Sequence, residues 1–144
     1  MTTATPIFPQ SLFNNITQFS NATSTGTPTQ ILGAQVSDGI KIEAIIATSS
    51  DTSDRSVGFY LRSGSTNYTI ATINIPTAAG TATAVPAVNV LAALNNATSL
   101  LPLPRDSNGN PYLYLDFLTS MTAQPNANIT SGKNINFFII GEKF

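Results

Sequence analysis

The chain has 144 residues, of which 42% are hydrophobic and only 9% charged, and its net charge is −1. That length fits a single domain of ~100–200 residues, and the apolar share excludes wholesale disorder. A typical domain carries ~25% charged residues, and six scattered Lys and Arg do not make the basic patch that nucleic-acid affinity requires. Cysteine and histidine are absent, which excludes disulfides, thiolate nucleophiles, imidazole bases and the commonest zinc ligands.

The first 30 residues differ in texture from the rest. They open with MTTATPIFPQSLF, which has neither a basic leader nor a long apolar run, so no signal peptide is expected. No window of ~18 apolar residues follows anywhere, so no membrane helix and no membrane partner are expected. The stretch SNATSTGTPTQ is almost wholly small and polar and shows no periodicity. Before it stand Ile7, Phe8, Leu12, Phe13, Ile16 and Phe19. We expect residues 1–30 to form an extended arm whose apolar side chains dock on a neighbouring subunit or pack on their own domain. The spacing of Leu12, Phe13, Ile16 and Phe19 also suits one face of a short helix.

From residue 31 to 144 the pattern is that of one β-domain. Ile40 to Thr48 begins with alternation, placing Ile40, Ile42 and Ala44 opposite Lys41 and Glu43. The polar run TSSDTSDRS reads as a loop. Val57 to Arg62 alternates again, Ser63 to Asn67 reads as a hairpin loop containing Gly64, and Tyr68 to Pro76 is the return strand. Its alternation slips near Ala71, which a bulge would repair. TAAGTATAVPA is a small-residue loop, and Val88 to Leu94 is the one short helix expected inside the domain, stopped by Asn95 and Asn96. A turn with Gly109 at positive φ precedes a strand from Tyr112 to Leu118. Thr119 to Ala123 and Asn128 to Thr130 are candidate short strands. Asn134 to Ile140 closes the set, and its continuous Phe137–Ile140 run suggests burial on both faces. The fold class expected is all-β, an antiparallel β-sandwich, jelly-roll-like.

Chemistry is sparse. The seven carboxylates are Asp38, Glu43, Asp51, Asp54, Asp106, Asp116 and Glu142, most at turns or strand edges. Two of them across a cleft would suffice for a glycosidase, yet no pairing is legible. Asp51-Thr52-Ser53-Asp54-Arg55 reads as a cation or ligand loop, or as a loop bonded to nearby backbone with Arg55 pairing one Asp. Asp106-Ser107-Asn108-Gly109-Asn110 begins like a calcium loop but has Gly fourth and Phe117 twelfth, so a β-turn is expected. Sequons at Asn15, Asn21, Asn67, Asn96 and Asn128 arise readily in a chain this rich in Asn and Thr. Tyr60, Tyr68, Tyr112 and Tyr114 suit a sugar platform or cross-strand packing with hydroxyls at the rim. No catalytic residue, cofactor or metal site is expected.

One stretch carries a family resemblance. From Lys41 to Phe117 the order is a strand ending in ATSSDTSDR, then VGFYLRSG, NYTIATINIP, AAGT, PAVNVLAAL and LPRDSNGNPYLYL. This order resembles that of small virion structural proteins of tailed bacteriophages, among them capsid-decorating (cement) proteins. The resemblance implies a β-sandwich on the outer capsid surface that clamps neighbouring capsomers. Its partner would be the major capsid protein, and it would be a homo-oligomer, with a trimer favoured by shell symmetry. It supplies no catalytic residues. Two other readings stand beside it: a head-fibre or tail adhesion module binding host glycans, and a hydrolase using two carboxylates.

Overall fold

The computed structural model describes residues 11–34, 39–94 and 103–144. Nine strands and one short helix follow in chain order. They are β1 (Ser11–Phe19), β2 (Thr29–Leu32), β3 (Ile40–Ser49), β4 (Arg55–Ser63), β5 (Thr66–Ile75), β6 (Val88–Asn89), α1 (Val90–Leu94), β7 (Leu113–Leu115), β8 (Thr119–Pro125) and β9 (Ile135–Lys143). The first sheet runs β1-β9-β3-β6, with β7 also on β3; the second runs β2-β8-β4-β5. Every pairing is antiparallel. The all-β, antiparallel expectation holds.

Alternation decides which side chains enter the core. From the first sheet come Phe19, Ile42, Ile45, Ile135, Phe137 and Ile139; from the second come Ile31, Val57, Phe59, Ile70, Ile75 and Met121. At the centre the Phe137 ring meets Phe19 at 5.0 Å and Phe59 at 5.7 Å, edge to face in both cases. Such pairs add about 0.5–1.5 kcal/mol beyond the area they bury. Leu91 and Leu94 of α1 are also wholly buried in this core.

The register shifts in three places: Ile31 is extra in β2 against β8, and β5 and β3 each carry a bulge. In β5, Phe59 pairs with Ala71 and Tyr60 with Thr69, so Ile70 is the extra residue, beside the slip visible in the sequence. In β3, Ile42 pairs with Gly141 and Ala44 with Ile140, so Glu43 is extra. This second bulge reverses the expectation for Ala44. It lies on the outer face, and Ile45 and Ala47 turn inward in its place. The β4–β5 hairpin closes through Gly64 and Ser65, with Gly64 at φ 60°, the positive value that the first position of a two-residue type II′ turn needs.

Several expected boundaries move. Ser11–Phe19 is a strand, not a helix, and of the two expectations for the arm it follows packing on its own domain: it pairs along its whole length with β9. Residues 20–30 continue the same body, with the Gln124 side-chain amide donating to the Thr25 carbonyl. Ile7 and Phe8 lie outside the described residues, as do Asn95 and Asn96. The helix keeps only Val90–Leu94, because Val88 and Asn89 pair with Ala47 and Ile46 of β3. The strand expected from Tyr112 shrinks to Leu113–Leu115, and Asn128 to Thr130 is not a strand, although Ile129 is buried.

One end of the sandwich is tied by Asp51. Its carboxylate accepts from Arg55 Nε at 2.6 Å, Thr130 Oγ1 at 2.5 Å and the Thr52 backbone N–H at 2.7 Å. Its carbonyl accepts from Thr77 Oγ1 at 2.7 Å. Three connections, β3–β4, β5–β6 and β8–β9, are thereby held to one buried residue.

Candidate interaction surface

Among the described residues no further layer covers the outer face of the first sheet. Period-two geometry brings Leu12, Asn14, Ile16 and Gln18 of β1 to this face, beside Asn136, Phe138, Ile140 and Glu142 of β9. Register then aligns Ile16, Phe138 and Ile46 in one row, and Asn14, Ile140 and Ala44 in the next. Leu12 is 88% exposed, Ile16 66% and Ile140 47%, while Phe138 and Ile46 are half-buried. Together they form one contiguous exposed apolar patch, of the kind that single scattered surface hydrophobics do not make. Between β1 and β9 lies a shallow hollow of about 370 Å³, lined by Leu12, Asn14, Ile16, Phe138 and Ile140, with Glu43 at its border.

The β3–β7 end of the same face is polar and aromatic. Lys41 Nζ lies 3.1 Å from Glu43 Oε1 and 5.0 Å from the centre of the Tyr112 ring. The bond to Glu43 holds the Lys41 ammonium above its ordinary proton affinity. Tyr112 packs edge-on to Tyr114 at 5.2 Å, and Tyr114 leans on Phe144 at 5.8 Å. A second hollow, of about 260 Å³, is lined by Lys41, Glu43, Asn89, Asp106, Asn110 and Tyr112.

Of the six residues expected at an interface, Ile7 and Phe8 lie outside the described residues, and of the other four Leu12 and Ile16 are presented by this face. Phe13 is half-buried against the core, and the Lys143 ammonium stands 5.1 Å above its ring. Phe19 is 0% exposed and belongs to the central aromatic stack, so it is corrected from contact residue to core residue. Phe138, Ile140 and Ile46 were missed. The signal for Phe138 and Ile140 is the Phe137–Ile140 run, which suggests burial on both faces although only Phe137 and Ile139 face the core; Ile46 turns outward because of the β3 bulge.

Of the described carboxylates, Glu43, Asp51, Asp54, Asp106 and Asp116 are occupied by turns and neighbours. Asp106 accepts from the backbone N–H groups of Asn108 and Asn110 at 2.8 Å each, the second of which does most to lower its proton affinity. Asp54 accepts from the Thr77 N–H at 2.8 Å, and Asp116 from the Leu118 N–H at 3.1 Å. Among the described residues no three His, Cys, Asp or Glu gather as a metal site would need. The four tyrosines divide between the sheets: Tyr60 and Tyr68 lie on β4 and β5, and Tyr112 and Tyr114 lie together beside Lys41. Comparisons with family models, with curated proteins and with solved structures find no match to this chain.

Proposed function

We propose that this chain is a non-catalytic virion protein that decorates a bacteriophage capsid, docking the exposed β1-β9-β3 face on the major capsid protein and bridging adjacent capsomers. The observation that carries the reading is the neutral apolar surface of Leu12, Ile16, Phe138 and Ile140 on an otherwise weakly charged molecule. The strand order supports a jelly roll. Two antiparallel sheets hold β1-β9-β3-β6 and β2-β8-β4-β5, so the chain crosses between them repeatedly, as two interleaved Greek keys do.

A protein that buries surface only on the assembled shell stabilises that state by mass action. Repetition over a lattice turns weak single contacts into a strong collective one, and self-association of the decorating copies adds to it. Neutral contacts suit this task because salt screens them little. The test is co-sedimentation of the purified chain with expanded, genome-free shells. Occupancy is expected to change less than twofold between 0.05 and 0.5 M NaCl (about a threefold change in Debye length) and to fall at least tenfold in a Leu12→Asp, Ile16→Asp variant. Undiminished occupancy of that variant would remove this face from the proposal.

The alternative is an adhesion module for host glycans. It is favoured by the hollow in which Tyr112 stands among Lys41, Glu43, Asn89 and Asn110, groups that supply donors and acceptors beside an aromatic ring. Tyr112→Ala would then abolish retention on a glycan array while shell binding stays intact.

A further inference from the structure

The first sheet ends in β1, and among the described residues no strand pairs with its outer edge. An edge strand exposes a row of unpaired N–H and C=O groups, and proteins guard such edges with charges, prolines, bulges or short length. Ser11–Phe19 has none of these guards. It is nine residues long, its sequence SLFNNITQF holds no Lys, Arg, Asp, Glu or Pro, and its register with β9 is unbroken. The edge of the second sheet, β5, is interrupted by the bulge at Ile70.

We infer that β1 pairs with the β1 of a second copy, antiparallel about a two-fold axis at Asn14, so that the two first sheets become one continuous sheet. The sequence around Asn14 is self-complementary. On the outer face, a two-fold at this position sets Leu12 opposite Ile16 of the other copy, Ile16 opposite its Leu12, and the two Asn14 amides side by side. An isologous contact needs this reciprocity. Other registers that keep the face outward do worse. A shift of the axis to Asn15 puts Leu12 against Gln18 and Ile16 against Asn14. A shift to Ile16 keeps one apolar pair and leaves Leu12 beyond the strand's end. The absence of charge matters too, since any charge near the axis would face its own copy. On the inner side Asn15 already has partners, donating to the Ile31 carbonyl at 2.6 Å, and Thr17 Oγ1 donates to the same carbonyl at 3.0 Å.

The area sets the strength. With the axis at Asn14 the two strands overlap over Ser11–Thr17, and seven residues at ~3.4 Å each, with a sheet ~10 Å thick, give roughly 240 Å² per partner. A free-standing complex usually needs about 800 Å² per partner. The pair is therefore weak in dilute solution and tightens where copies are held side by side on a common surface. This inference stands on the strand itself and holds whatever surface the protein docks on.

The chain has no cysteine, so single cysteines report the contact directly. Asn14→Cys is expected to form a disulfide-linked dimer under mild oxidation at least tenfold faster than Gln18→Cys or Tyr68→Cys, both of them on exposed strand surface. A mixture of Leu12→Cys and Ile16→Cys chains is expected to cross-link faster than either alone. In sedimentation velocity the native chain shifts toward dimer as concentration rises, and Asn14→Lys, which places like charges on the axis, holds it monomeric with an unchanged circular-dichroism spectrum. Equal cross-linking at positions 14, 18 and 68 would overturn the proposal. So would loss of the Asn14→Cys dimer on removing residues 1–10, because the contact would then belong to that segment.

Discussion

A carboxylate taken out of water costs several kcal/mol unless its oxygens are fully partnered, and Asp51 is 1% exposed. Burial alone favours its protonated form. The bonds from Arg55, Thr130 and the Thr52 N–H outweigh that and hold the carboxyl well below the usual carboxylate range. Because the folded state binds this proton more weakly than the unfolded chain, the stabilisation is complete above the unfolded value of about 3.9 and is lost as pH falls below it. The urea midpoint is therefore expected to be flat from pH 8 to 5 and to decline below about pH 4. Asp106 and Asp116 shift in the same direction through their turn hydrogen bonds, but on the exposed surface. Asp51→Asn isolates the buried share: it leaves Arg55 without its counter-charge, lowers stability by about 3 kcal/mol at pH 7 and flattens the acid decline. An Asp51→Asn variant as stable as the parent at pH 7 would show that this network does not tie the loops.

Phe19 and Leu12 share a strand and have opposite roles. Phe19→Ala removes one member of the aromatic stack and is expected to cost about 3–5 kcal/mol in chemical denaturation. Leu12→Ala, at an exposed position, is expected to change stability by less than about 0.5 kcal/mol and to weaken shell binding instead. Sequence spacing alone did not separate the two. A three-to-four spacing fits a helix face, whereas in a strand Leu12 and Ile16 face one side and Phe13 and Phe19 the other. What chose the strand was a partner more than a hundred residues away.

At the scale of elements, local signals and pairing partners contributed differently. The hairpin at Gly64, the bulge beside Ala71, the positive φ of Gly109 and the Asp51–Arg55 pair all follow from local rules, and all were legible. The β3 bulge at Glu43 was not, because its cause lies in β9. A Cβ built on Gly141 would sit on the Lys41 carbonyl oxygen, so the two backbones approach there as only glycine permits. Gly141→Ala is expected to force the bulge apart and cost about 3 kcal/mol, read as a lower urea midpoint. A variant of native stability would mean that the bulge is not held by that approach. The outer face was misread for a related reason. Phe138 and Ile140 belong to an apolar run that reads as doubly buried, but the described residues supply a layer on one side only.

For the whole molecule, the decisive fact is that β1 and β9 join the two ends of the described chain. Their pairing sets Phe19 against Phe137 and gives the exposed face both halves of its apolar surface. Such distant pairing closes late and makes folding slow, on the scale of milliseconds to seconds for sheets of this kind. It also changes what a truncation measures. Deleting residues 1–30 would remove all of β1, so lost shell binding would report unfolding as readily as lost docking. Two shorter deletions separate these effects. Removing residues 1–10 leaves β1 whole, and the thermal midpoint is expected to stay within about 2 °C, a change well under ~1 kcal/mol. Removing residues 1–20 takes Phe19 with the strand and uncovers Phe137. Loss of that ring alone is worth about 3–5 kcal/mol, against a total near 5–15 kcal/mol for a domain, so the cooperative transition is expected to be lost or sharply lowered. If the longer deletion melted like the parent, β1 would be an appendage after all. Its apolar residues would then be free for another molecule, and the exposed face would have to be redrawn around β9 and β3 alone.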